Sequence, residues 1–141
     1  MSEKMIGREL RSLSNLIMRQ VERQQKDMDT VTAANGWIIG YIADNSLRDI
    51  YQRDLEEAFG ITRSTVSKNI NLMVQKGLIV REGVAHDARL KKLVLTPKAW
   101  VMFEKMKRDS FEMEKRLTSG FSPEELKLLL QLIERMKQNM R

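Results

Sequence analysis

The segment from residue 55 to residue 78 constrains the fold of this chain more than any other. Two stretches with apolar residues at helical spacing are separated only by Gly60-Ile61-Thr62, and the second stretch stops at Gly77. Glycine permits the sharp change of direction, and threonine is a favourable N-cap for the helix that follows. The spacing predicts a helix-turn-helix in which Ile61 fills the angle between the two helices.

The second helix of this motif, the recognition helix, has two contrasting faces. Val66, Ile70 and Met73 share one face and are expected to pack against Leu55 and Phe59 of the first helix. The other face carries small or extended hydrogen-bonding groups and no acidic residue, as expected for a helix that enters the major groove of DNA. The predicted DNA-binding residues of this helix are Arg63 at its tip, Ser64, Thr65, Ser67, Lys68 and Asn71.

A β-hairpin is expected to follow directly. Residues 78–81 and 92–95 favour strands, and the polar stretch from Gly83 to Arg89 favours the connection between them. Such a wing brings cations next to the recognition helix, where Arg89 is able to enter the minor groove and meet its enhanced negative potential. The predicted DNA-binding residues of the wing are Asp87, Arg89 and Lys91.

The positive charge of the chain is concentrated in this same region. The net charge is +6, and residues 60–98 hold eight basic and two acidic residues, so this segment accounts for the whole excess. The rest of the chain is neutral. A neutral body with one basic segment is typical of a protein that binds a polyanion there, although a run of charge is also common on a solvated surface.

Further helices are predicted on both sides of this region. Residues 3–27 carry an apolar stripe at intervals of three and four, and a second helix is expected after Thr32 as its N-cap. Thr96-Pro97 and the capping box from Ser122 to Glu125 start two more helices. The apolar stripes are Ile6, Leu10, Leu13, Ile17 and Val21 in the first helix, and Leu126, Leu129, Leu130, Ile133 and Met136 in the last one.

These terminal helices are more apolar than a small winged domain is able to bury. A two-fold dimer would cover them and would present two recognition helices to successive major grooves, about 34 Å apart. A helical core within one chain is the alternative. We therefore predict a mainly α fold with a small β-hairpin wing, in which a winged helix-turn-helix lobe at residues 32–96 lies between dimerisation helices at residues 1–31 and 97–141.

Several short motifs in this chain resemble the MarR family, the multiple antibiotic resistance regulators. They are the run from Gly60 to Ser67, then Lys76-Gly77-Leu78-Ile79, Asp87-Ala88-Arg89 and Leu95-Thr96-Pro97. The resemblance covers the whole chain and implies an obligate homodimer that reads a pseudo-palindromic duplex and regulates transcription, most commonly as a repressor. It also implies that Arg89 reaches the minor groove while Asp87 orients it. Residues 82–86 depart from the basic run usual in the family, and we expect weaker phosphate contacts there.

The resemblance further implies a small amphipathic or anionic effector, bound between the dimer helices and the DNA-binding lobe. The candidates to line such a pocket are Trp37, Tyr41, Trp100 and Met102, although side chains of these types at helical spacing are more often part of a core. The chain has no cysteine and a single histidine, which argues against thiol-based and zinc-based sensing. No cofactor or metal is expected.

Two other classes of function remain as alternatives. An enzyme is poorly supported, because the sequence offers neither a nucleophile with a base nor a glycine-rich phosphate loop. A non-catalytic winged-helix adaptor that binds protein or RNA is the stronger rival. The charged N-terminus and the lack of a long apolar stretch lead us to expect a cytoplasmic protein that makes no membrane contact.

Overall fold

The computed structural model describes residues 3–26, 28–29, 32 and 35–141, and the chain divides into two compact units, residues 1–109 and residues 110–141. The predicted fold class, mainly α with a small β-hairpin wing, is confirmed. The first unit contains four helices and both strands: α1 (Ile6–Gln24), α2 (Gly36–Asp44), α3 (Gln52–Phe59), α4 (Arg63–Gln75), β1 (Ile79–Val84) and β2 (Asp87–Leu95). Helix α5 (Pro97–Leu117) starts in the first unit and ends in the second, and the second unit also contains the whole of α6 (Pro123–Asn139).

The turn between α3 and α4 forms as the sequence predicts. Gly60 has a φ of 62°, in the left-handed region that glycine adopts without a steric penalty. Ile61 packs against the core from this turn. The hydroxyl of Thr62 accepts a hydrogen bond from the backbone N–H of Thr65 at 3.3 Å, and this bond caps α4. The α3–α4 pair is therefore the predicted helix-turn-helix, and α4 is its recognition helix.

The core of the first unit includes the inner face of α4. Val66, Ile70 and Met73 are fully buried and belong to the same apolar cluster as Leu55 of α3. Phe59, the last residue of α3, is 42% exposed and lies outside this buried cluster, with its ring against the aromatic residues of α2. The cluster is completed by Ile38, Ile39, Ile42, Ala43, Ile50, Leu78, Ile79, Leu93, Leu95 and Ala99.

The hairpin is longer than predicted. β1 and β2 pair antiparallel along their length, with an irregular register after Gly83, and only Ala85 and His86 lie between the strands. The predicted polar connection from Gly83 to Arg89 is wrong, because backbone pairing continues beyond the last residues that pack on the core. Arg89 consequently lies within β2, on an ordered backbone, rather than in a loop.

The second helix begins later than predicted. Asn35 is the N-cap of α2, and Thr32 instead donates its backbone N–H and its hydroxyl to the carboxylate of Asp29, at 2.9 and 2.7 Å. The predicted N-cap role of Thr32 is wrong, because the N-cap of α2 is Asn35, three residues further along the chain. At Gly36, α2 approaches α5 closely: a Cβ atom there would lie 2.5 Å from Cε of Met106, the flexible end of that side chain.

The start of α5 is fixed by Thr96, and the prediction for this helix start is confirmed. The Thr96 hydroxyl donates to the carbonyl of Gly77 at 2.6 Å and accepts from the N–H of Ala99 at 3.3 Å. Nζ of Lys98 donates to the carbonyl of Lys76 at 3.0 Å. Two residues at the start of α5 thus hold the C-terminal end of the recognition helix.

The second unit consists of helix and one capped turn. Ser122 and Glu125 form the predicted capping box, with reciprocal hydrogen bonds of 2.9 and 3.1 Å at the start of α6. No residue of α6 is buried, and the same holds for α1 in the first unit. Within the described ranges, no helix is both long enough and apolar enough to cross a membrane.

Candidate nucleic-acid interface

The N-terminal half of α4 presents cationic and short polar side chains to solvent. Arg63, Ser64, Thr65 and Lys68 are exposed, whereas Ser67 is half-buried. The helix contains no acidic residue. Because the N-terminal end of a helix also carries the positive end of the backbone dipole, this surface is suited to a polyanion.

Hydroxyl groups at the start of α4 form a small network. Oγ1 of Thr62 lies 3.2 Å from Oγ of Ser64 and donates to Oγ1 of Thr65 at 2.9 Å. The same Thr62 oxygen accepts from the backbone N–H of Thr65. Two of the predicted DNA-binding side chains are therefore positioned by the residue that caps the recognition helix.

Asn71 differs from the other predicted contact residues of α4, because it has a partner within the protein. Its Oδ1 accepts a hydrogen bond of 2.6 Å from Nη2 of Arg81, a residue of β1. The same Nη2 lies 3.3 Å from Oε1 of Gln52, at the start of α3. One guanidinium group thus connects α3, α4 and the wing.

The wing presents Arg89 almost completely to solvent. The side chain of Arg89 is 90% exposed, and its Nε lies 3.4 Å from Oδ1 of Asp87. The same carboxylate oxygen accepts from the backbone N–H of Arg89 at 2.9 Å. Lys91 is exposed, while Lys92 is half-buried and lies 3.7 Å from Asp49. Asp87 therefore touches both the backbone and the side chain of Arg89.

A cleft of about 410 Å³ lies between the wing and the start of α4, and cations dominate its lining. It brings together residues that the sequence assigned to separate parts of the interface, Arg63 on α4 and Arg89 and Lys91 on β2. Glu56 is the single acidic residue of the lining. The remaining lining residues are Tyr51, Gln52, Arg53, Arg81 and Leu90.

Sequence reasoning did not assign Arg53 and Arg81 to this surface. Arg81 was counted only as one cation of the basic segment. Because side chains alternate between the two faces of a strand, the position of Arg81 on β1 was the signal that could have shown which face it lies on. Arg53 lies outside that segment, on α3, and its guanidinium carbon lies 5.4 Å from the ring centroid of Tyr51. Nothing in the spacing of the sequence places it beside the wing.

The four candidate residues for an effector pocket lie in different surroundings. Trp37 and Tyr41 contact Phe59, with ring centroids 4.3 and 5.6 Å apart. Trp100 lines a cleft of about 240 Å³ whose charged residues include Arg48, Asp49, Glu82 and Lys92, and Met102 packs against the core. The lining of that cleft includes Trp100 but not the other three residues.

The end of the recognition helix is also tied to the segment that follows α1. Nζ of Lys76, the C-cap of α4, lies 3.1 Å from Oδ1 of Asp29. Hydrogen bonds from the backbone N–H and the hydroxyl of Thr32 lower the pKa of the Asp29 carboxyl to about 2, and Lys76 adds to the shift. Asp29 therefore stays ionised and paired at neutral pH.

Comparisons with known proteins agree on one family. The sequence model that describes the MarR family matches residues 30–90 of this chain. The transcription regulator MarR from Oenococcus oeni PSU-1, known from a crystal structure, is 30% identical in sequence to this chain and has a TM-score of 0.77. The match covers 95% of this chain and 99% of the Oenococcus chain.

Two structures of protein–DNA complexes are also similar to this chain in fold. A putative MarR family transcriptional regulator from Listeria monocytogenes, complexed with 26mer DNA, has a TM-score of 0.85 at 20% identity and covers 98% of this chain and 90% of its own. The MepR–DNA complex of S. aureus has a TM-score of 0.83 at 24% identity and covers 97% of each chain.

Proposed function

The chain belongs to the MarR family of transcription regulators, and we propose that it acts as a homodimer that binds a pseudo-palindromic DNA duplex and represses the promoter it occupies. Residues 32–96 form the DNA-binding lobe, and residues 1–31 and 97–141 form the dimerisation segments. Because its ligand is chromosomal DNA, the protein works in the cytoplasm.

The observation that carries this proposal is the exposed, acid-free start of α4 beside a cationic hairpin. Arg63, Ser64, Thr65 and Lys68 project from a helix whose opposite face is locked in the core. Residues on this surface enter the major groove and read base edges or phosphates. Ser67 contributes from the edge of the same surface.

The wing extends this surface to the next groove. Arg89 has the length and exposure needed to enter the minor groove, and its contacts with Asp87 hold the base of the side chain on β2. Lys91, on the same strand, contacts the phosphate backbone. Asp87 acts through Arg89, because a carboxylate that faced DNA directly would be repelled by the phosphates.

Dimerisation is supported by the two apolar stripes outside the DNA-binding lobe. On α1, Leu10 and Leu13 are exposed, and on α6 the exposed residues include Leu129 and Leu130. Neither helix has a buried residue. A second copy of the chain covers the stripes and supplies the second recognition helix.

The proposal includes release from DNA by a small amphipathic or anionic effector. In its support, the cleft beside Trp100 is lined by that indole, by apolar side chains, and by two cations and two carboxylates, with Lys92 paired to Asp49 and Glu82. Such a mixed lining suits an amphipathic ring. Trp37 and Tyr41 form a second aromatic surface on α2 with Phe59, and Met102 packs against the core.

Duplex binding measured against salt concentration tests the proposal. We expect the affinity of the purified protein for duplex DNA to fall steeply as salt rises, and both Arg89→Ala and Lys68→Ala to weaken it. Arg108→Ala is the matched control, because it removes an exposed cation of α5 that lies outside the cleft. A protein that ignores duplexes at low salt but binds RNA or another protein is an adaptor instead.

A further inference from the structure

A strand of the DNA backbone must pass between α4 and the wing if the proposed function is correct. The recognition helix enters the major groove and Arg89 enters the adjacent minor groove, and these two grooves are separated by a sugar–phosphate chain. The cleft of about 410 Å³ lies at this point, with Arg63 on one side and Arg89 and Lys91 on the other. Its place in the fold matches the path of that strand.

The lining of the cleft also matches the chemistry of that strand. Its lining includes Arg53, Arg63, Arg81, Arg89 and Lys91, against one carboxylate, Glu56. So many like charges around one small volume repel one another, and an anion in their midst removes the repulsion. Arginine is suited to this role because its planar fork donates to phosphate oxygens.

Arg81 is the member of this group whose direction is fixed by the protein. Its Nη2 donates to Oδ1 of Asn71 at 2.6 Å and lies 3.3 Å from Oε1 of Gln52. Nη2 has two hydrogens, so these two acceptors use both. The N–H groups on Nη1 and Nε are left for a ligand in the cleft that Arg81 lines.

We propose that the cleft is a seat for one phosphodiester of the bound duplex, that Arg53 and Arg81 donate to it, and that Asn71 is a positioning residue which holds Arg81 in place. The inference rests on the proposed function and refines it: Asn71 acts through Arg81 and does not read a base. Specificity then lies with the side chains nearer the start of α4.

The salt dependence of binding tests the seat. Each phosphate contact that is lost lowers the slope of log affinity against log salt by about 0.9, so Arg81→Gln is expected to lower it by about 1.8 in a dimer. The dissociation constant at low salt should rise roughly a hundredfold, as for the loss of one charge-assisted hydrogen bond in each subunit of the dimer. Arg53→Gln, on an exposed residue of α3, tests the same seat if Arg81→Gln disturbs folding. An unchanged slope in both variants overturns the proposal.

Duplexes with single neutral methylphosphonate linkages identify the occupant. The wild-type protein should lose affinity when one particular linkage in each half-site is neutralised, and Arg81→Gln should be insensitive to that linkage. If no single linkage matters, but inorganic phosphate competes with DNA for the wild-type protein and not for Arg81→Gln, the occupant is a free anion and the proposal is wrong.

A double-mutant cycle tests the role of Asn71. Asn71→Ala alone should weaken binding to all sequences equally, and it should have little further effect in the Arg81→Gln background. If Asn71→Ala changes the preferred base at one position in both backgrounds, Asn71 reads that base and the positioning role is refuted. Arg89→Ala is the reference for the proposed function: if it weakens duplex binding while the Arg81 variants do not, the function stands and the seat fails.

Discussion

Truncation of a leucine in either terminal helix should weaken the dimer by an amount that follows from its exposure. Leu13 of α1 is 42% exposed and Leu129 of α6 is 43% exposed. Burying a whole leucine stabilises a protein by about 2 kcal/mol, so covering the exposed part contributes ~1 kcal/mol per side chain. A two-fold interface contains each residue twice, and alanine at either position should therefore cost ~2 kcal/mol per dimer.

That loss corresponds to a rise of roughly thirtyfold in the dissociation constant of the dimer. Sedimentation equilibrium over a range of protein concentrations measures it directly. Leu47→Ala is the matched control, because Leu47 is 104% exposed in the connection between α2 and α3 and lies on neither stripe. If Leu13→Ala and Leu129→Ala both dissociate at the same concentration as Leu47→Ala, the stripes do not form the dimer interface.

Two further predictions concern the recognition helix. Thr62→Ala removes the N-cap and should lower the free energy of unfolding by about 1 kcal/mol, measured by urea denaturation, whereas Thr62→Ser should retain it; equal losses in both variants would exclude the cap. Asp29→Asn should destabilise the protein at neutral pH, and its difference from wild type should shrink as pH falls from about 4 through 2, because a carboxyl with a lowered folded pKa stabilises fully above its unfolded pKa and loses that effect as pH falls through the folded one; a difference as large at pH 2 as at pH 7 contradicts this.

The helix-turn-helix was predictable from the sequence because its signals are local. Gly60 tolerates the left-handed turn and Thr62 is a good N-cap whatever surrounds them, and the apolar positions of α4 repeat with the helical period. The capping box at Ser122 and the start of α5 at Thr96 were predictable for the same reason. In each case the local structure is favoured by residues that lie close together in the sequence.

The remaining features depend on pairing between distant residues. The strands of the wing extend past their predicted ends because each strand continues as long as the other one pairs with it. The composition of one strand does not show how far that pairing goes. The contact between Asn71 and Arg81 joins a helix to a strand, so the sequence showed Asn71 as one more polar residue on a helix face. Arg53 reaches the basic cleft only because α3 packs beside the wing.

Selection of bound duplexes from a random pool tests the central claim most directly. If two copies of the chain place their α4 helices in successive major grooves, the selected sequences will share an inverted repeat with half-site centres about 10 base pairs apart. Enrichment of a single half-site without a repeat, or no enrichment of duplex DNA at low salt, would contradict the account.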